Sequence, residues 1–252
     1  MLREWKTEWM KLRRRKAGLL ILAFLGFTFV WCAWVVSDAD LQDLADGYRW
    51  ILSNLSIINT ILLPTMLAML ASRLCDMEIK GNTLKLICTM EEKGRLFDMK
   101  VLTGGVYLVF YVGAELLLLV LGGTLMGFGD PIESKHILYF LLQNIPVSLV
   151  IYLLQVMLSF RFENQIIPLA AGLFGSFIGL FSWFFPDSSL FRWIFVWGHY
   201  SLLHFIGNTW DEATRIVTYY DVGPNWAALG LVTALLVSGY LACRYLFIRK
   251  EV

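Results

Sequence analysis

The chain has 252 residues, 58% of them hydrophobic and only 16% charged, where an ordinary soluble domain carries about a quarter charged. That deficit excludes an ordinary soluble globule, and a net charge of +1 gives no reason to expect a nucleic-acid partner. The apolar residues fall in runs of about 20, the length that crosses ~30 Å of hydrocarbon, so an all-α integral membrane protein of one domain, 1–252, is expected.

In chain order, 1–16 ("MLREWKTEWMKLRRRK") reads as an amphipathic interfacial helix. Leu2, Trp5, Trp9 and Leu12 recur at spacings of three and four, and Arg13, Arg14, Arg15 and Lys16 can meet anionic headgroups. The plainer alternative is a topology signal, since basic flanks are general. The apolar run that follows is too long for a signal-peptide core and lacks a small-x-small cleavage site, so it is read as a retained span. Six spans are predicted, at 17–37, 51–72, 101–128, 137–160, 166–185 and 226–247, with Pro64 and Pro146 inside two of them. Between the last two, 186–225 forms an outer, aromatic-rich excursion. Its stretch "LFRWIFVWGHYSLLHFIG" is short, and Trp193, Trp197 and Tyr200 favour a membrane–water interface, so one or two interfacial or re-entrant helices are predicted there.

The positive-inside rule orients the chain. With both termini cytoplasmic, 17 of the 21 basic residues lie on the inner side. The segment 76–100 ("DMEIKGNTLKLICTMEEKGRLFDMK") is then cytoplasmic. Asn82 or Thr83 can cap a short helix there. Leu84, Ile87 and Cys88 form its apolar stripe, with Met90 beside it, and Gly81 and Gly94 serve as flanking breaks. "RLFDMK" reads as a second helical stretch leading into the third span, so the spans are expected to extend into the cytoplasm with the short helix at their tip. Such a helix could lie on the membrane or suit a groove in a soluble partner, and a plain solvated loop is the alternative.

Cys32, Cys75, Cys88 and Cys243 show neither a disulfide framework nor zinc spacing and are read as small apolar residues. No P-loop pattern occurs, so ATP hydrolysis by this chain is not expected. Glu115 is the one acid deep inside a span. A carboxyl there is costly and faces a protein interior or a wet cavity. It could contact a cationic peptide or gate a path, or it could simply bond polar groups such as Gln143, Asn144 or Gln155. The glycines at 172, 175 and 179 permit close helix approach, most simply within the chain.

The chain resembles the permease subunits of type-2 ABC exporters, in particular those of bacterial lantibiotic-immunity and bacitracin-type transporters. The likeness lies in "EWKTEWMKLRRRK", in the E-x-x-x-x-T-x-K-x-x-x-T…R…K pattern of 78–100, and in the order of interfacial helix, six spans and outer excursion. The resemblance implies a coupling helix within 78–100 that docks into an ATP-binding subunit, with Glu78, Thr83, Leu84, Lys85, Ile87, Cys88, Thr89, Arg95 and Lys100 as its partner-binding residues. It implies two ATP-binding subunits that use ATP and magnesium, a second permease subunit, identical or homologous, and no cofactor or metal bound by this chain. The substrate would be a lantibiotic or similar peptide antibiotic, expelled from the bilayer of the bacterial cytoplasmic membrane. Glu115, Trp193, Trp197, His199 and Tyr200 are candidates for the substrate path. Trp5, Trp9, Arg13, Arg14 and Arg15 are candidates for the membrane interface.

Two rival functions use the same residues. Another exporter substrate (a drug, lipid or polysaccharide) is compatible with the same motifs. "EEKGR", "FVWGH" and "HFIGN" together resemble parts of the CAAX-type intramembrane proteases, which would need Glu91 or Glu92 beside His199 or His204. The predicted topology puts those acids and histidines on opposite sides of ~30 Å of hydrocarbon.

Overall fold

Two helices are longer than a bilayer requires. In the computed structural model, which describes residues 9–11, 16–37, 44–81, 83–212 and 216–250, α2 (Gly47–Lys80) and α4 (Lys93–Met126) have 34 residues each. That is about 50 Å of helix against ~30 Å of hydrocarbon. Both therefore continue past the apolar layer on one side, where α3 (Leu84–Met90) joins them. The remaining helices are α1 (Ala17–Ser37), α5 (Ser134–Arg161), α6 (Ile166–Ser182), α7 (Leu190–Ile194), α8 (His199–Leu202) and α9 (Trp226–Arg249). Trp9–Lys11 are helical before α1. Trp5, Arg13, Arg14 and Arg15 lie outside the described residues.

Among the described residues, α1, α2, α4, α5 and α9 are long and apolar enough to cross a membrane. The helix of the predicted fifth span, α6, has 17 residues and stops at Ser182, short of the predicted Phe185. It measures about 26 Å, at the lower limit for a span. The predicted first span coincides with α1. The predicted second and third spans are only the apolar parts of α2 and α4, because charge ends a span but not a helix. Gly127, with φ +73°, ends α4, and Phe128 N–H reaches back to Gly123 O at 3.0 Å.

The all-α expectation needs one correction. After α8 the chain forms an antiparallel hairpin, β1 (Ile206–Asp211) with β2 (Ile216–Asp221), in the register Ile206↔Asp221 to Asp211↔Ile216. "IVTYYD" is β-branched and aromatic, the composition that favours strands, and it was folded into the helical excursion.

α2 is the hub. It packs on α1, α4, α5 and α6, while α9 packs on α5 and α4. In its apolar window 72% of α2 is buried, against 22% for α1 and 17% for α9, so the outer helices present their apolar residues to lipid. Beside Pro64, which leaves the Thr60 carbonyl without its usual N–H donor, Ile61 O accepts side-chain bonds from Thr65 Oγ1 at 2.8 Å and from Ser176 Oγ at 3.2 Å. The α6 glycines serve packing within the chain. A Cβ at Gly172 would sit 2.6 Å from the Ala68 Cβ on α2, and one at Gly175 would enter the Trp197 indole.

Candidate functional site

The turn from α2 into α3 is tight. Gly81 N–H bonds back to Met77 O at 3.2 Å and Thr83 N–H to Glu78 O at 3.1 Å. A Cβ at Gly81 would stand 2.7 Å from Met77 O. Thr83 occupies the N-cap position, but its side chain makes no cap bond. Asn82 lies outside the described residues. The break after α3 is the extended pair Glu91 and Glu92. The predicted break at Gly94 is wrong: Gly94 is inside α4, close against the Arg244 guanidinium.

The predicted apolar stripe of α3 faces inward. Leu84 is buried in the core, and Ile87 and Cys88 pack half-buried against it. These three fasten α3 to the bundle and leave the opposite face for a partner. That face carries Leu86, 60% exposed, and Met90, 78% exposed. They are four residues apart and so neighbours on the helix. Lys85, Thr89, Glu91, Glu92 and Arg95 surround them, all exposed. Sequence periodicity missed Leu86 and set Met90 beside the inward stripe, because a seven-residue helix fits two stripes equally well.

Glu78 and Lys100 are not on that surface either. Their side chains are 2% and 0% exposed and pair at 2.8 Å. Lys100 Nζ also donates to Leu74 O at 2.8 Å, and Tyr152 OH donates to Lys100 O at 2.9 Å. Lys11, from the residues preceding α1, reaches the same Glu78 Oε1 at 3.2 Å. The cluster therefore ties Lys11, α2 and α4 together directly behind α3. Trp9 lies along α4, stacked on Tyr107 with centroids 5.2 Å apart.

At the other end of the bundle Asp221 joins three elements. It accepts from Arg49 Nε at 3.1 Å and pairs with Lys135 Nζ at 2.7 Å and His136 Nε2 at 3.0 Å. Partial burial pushes its carboxyl up. The bonds from Lys135, His136 and Arg49 outweigh that and hold it well below the usual carboxylate range. His136 Nδ1 accepts from Glu133 N–H at 3.3 Å, so its proton sits on Nε2, toward Asp221. Glu133, His136 and Asp221 bring their ligand atoms within 4.8 Å of one another. Two cations already occupy Asp221, so the cluster reads as a closed ion-pair network rather than a metal centre.

The excursion residues proposed for a substrate path are mostly internal. Tyr200 is fully buried, its hydroxyl 2.7 Å from Ser148 Oγ and its carbonyl accepting from Gln143 Nε2 at 2.8 Å. His199 is fully buried, with Nε2 3.0 Å from Trp193 O. Trp197 is half-buried over Gly175. These residues, with the half-buried Trp193, hold the excursion on α5 and α6, while Leu190, Ile194 and Phe195 nearby are exposed. Glu115 is 1% exposed. Its Oε2 accepts from Asn59 Nδ2 at 3.1 Å, and Asn59 also donates to Asn144 Oδ1 at 3.3 Å. The polar partner on α2 was not foreseen.

The excursion sits at the level of Thr60, whose hydroxyl accepts from Trp183 Nε1 at 3.1 Å. From Thr60 to Lys80, beside α3, α2 alone covers about 30 Å. Glu91 and Glu92 therefore cannot share a water with His199 or His204, and the geometry rejects the protease arrangement.

Residues 5–179 match the family model described as ABC-2 family transporter protein. No curated protein and no solved structure matches. The family is a membrane transport component that works with an ATP-binding partner, and five long apolar helices fit that role. With more than half of its length covered by the match, the chain belongs to the ABC-2 family of transporters as a multi-pass membrane permease.

Proposed function

We propose that α3 is the coupling helix of a bacterial peptide exporter and that Leu86 and Met90 are its anchors in the ATP-binding subunit. The supporting observation is the face of α3 itself. Two large apolar side chains stand exposed beyond the ends of the apolar spans, ringed by Lys85, Glu91, Glu92 and Arg95. An apolar centre within a charged rim is the anatomy of a protein-docking surface. Two such permeases, identical or homologous, would pair with two ATP-binding subunits in the bacterial cytoplasmic membrane, with both chain termini cytoplasmic. Closure of the ATP-binding dimer would push α3, and the Glu78–Lys100 pair would pass the displacement to α2 and α4. The resemblance of 78–100 to lantibiotic-immunity permeases supports a membrane-active peptide antibiotic as cargo.

The test is co-purification of the tagged chain from its native membrane in mild detergent. Wild type should carry a P-loop ATPase, and the L86D/M90D variant should lose it. Both side chains face outward, so the variant should elute like wild type. An ATPase retained by L86D/M90D would reject these anchors. No ATPase with wild type would reject the coupling reading.

A further inference from the structure

Between α1, α2 and α4, toward the hairpin end, lies a narrow cleft of about 60 Å³ that is open at its mouth. Its walls are apolar, formed by Ile51, Leu55, Leu119 and Phe128 among others, with Glu115 the only carboxyl lining it among the described residues. Phe29, Leu118 and Met126 line it while remaining 57%, 37% and 47% exposed, so it opens sideways between α1 and α4, on the lipid-facing surface.

The carboxyl has one hand taken. Glu115 Oε2 is held by Asn59, but Oε1 has no hydrogen-bond partner among the described residues. The Thr28 and Tyr111 hydroxyls stand beside it. They engage each other at 2.9 Å, and Thr28 Oγ1 donates to Phe24 O at 3.1 Å. An acceptor left open in an apolar interior is costly until a donor reaches it. An ammonium group brings three donors and the complementary charge, and an attached alkyl chain matches the walls.

We propose that this cleft binds a cationic amphiphile, its primary ammonium on Glu115 and its chain against α1 and α4, entering laterally from the bilayer. Binding needs neither ATP nor a second subunit, so it stands or falls apart from the docking of α3. Gly122 offers an independent handle. It lines the cleft, and a Cβ there meets nothing within 4 Å, so Gly122→Leu fills the space while leaving Glu115 in place.

The experiment uses the full chain, purified into nanodiscs of zwitterionic lipid, and a dodecylamine carrying a diazirine in its chain. Cross-linked positions are read by peptide mass spectrometry. Labelling should concentrate in 28–36 and 115–128. Unlabelled dodecylamine should compete, and dodecanol should compete at least tenfold less well. Both Glu115→Gln and Gly122→Leu should lower labelling of these two stretches at least fivefold. Labelling spread over all lipid-facing helices, equal competition by dodecanol, or a Gly122→Leu variant labelled like wild type would each overturn the proposal. The competition and Gly122→Leu arms decide the matter should Glu115→Gln fail to fold.

Discussion

Replacing Lys100 by methionine should damage this protein more than its position beside a surface helix suggests. Lys100 is fully buried, bonded at 2.8 Å both to Glu78 and to Leu74 O. Removing one partner of a buried ion pair typically costs 3–5 kcal/mol, whereas replacing the whole pair by apolar residues is often neutral. Glu78 keeps Lys11 at 3.2 Å, with 28% of that side chain exposed, so the loss should fall at the lower end, about 3 kcal/mol. For a chain of this length that lowers Tm by roughly 6–12 °C. The assay is thermal unfolding in non-ionic detergent, followed with a thiol-reactive dye, because Cys75 and Cys243 are buried thiols outside any disulfide and become reactive on unfolding. Lys100→Met alone should show the drop, and the double variant Glu78→Met/Lys100→Met should recover at least half of it. A single variant within about 2 °C of wild type, or a double variant worse than the single, would refute the reasoning from burial.

Three further outcomes are expected. The folded-state pKa of Asp221 is depressed, so its contribution is fully present above the ordinary carboxylate value near 4 and is lost as pH falls below it. Tm measured from pH 7 to pH 3 should therefore decline more steeply for wild type than for Asp221→Asn. Gly175→Ala would drive a methyl into the Trp197 indole; a cost of about 1–3 kcal/mol from overpacking should appear as a lower Tm and as proteolysis within 186–225. Arg244→Ala breaks a pair with Asp98 at 2.9 Å whose side chains are 34% and 28% exposed. It should lower Tm only slightly, as for a solvent-screened pair, and the loss should shrink in high salt, as a Tm comparison at two ionic strengths will show.

What the sequence made legible follows the strength of its periodicities. Long apolar runs placed α1, α5 and α9 closely, because a span must satisfy a length and a composition at once. The extension of α2 and α4 past the membrane was legible in the helical stretch "RLFDMK", but their exact ends were not, since charged residues such as Asp76, Glu78 and Lys100 mark where apolar composition stops, not where backbone hydrogen bonding stops. The same ambiguity misassigned Glu78 and Lys100 to a docking surface. A buried ion pair 22 residues apart in sequence has no local signature. The short α3 was foreseen as an element, yet its faces were exchanged, because one turn on either side of Leu84 cannot say which stripe meets the bundle. The hairpin was hidden inside an aromatic excursion whose strands are six residues each, where alternation is too brief to outweigh the surrounding helical pattern. Glu115 was visible as an anomaly, but its partner Asn59 emerged only once α2 had been packed beside α4.

The unbroken run of α2 has a mechanical consequence. One end is pinned by the Arg49–Asp221 contact and the other by Glu78–Lys100, with Pro64 between them. A rod of about 50 Å tilted by about 5° moves its far end by roughly 4 Å, enough to break or remake the ion pairs at its tip. The leverage works in both directions. Whatever factor an event at α3 imposes on binding near the hairpin, an occupant near the hairpin must impose in return on binding at α3.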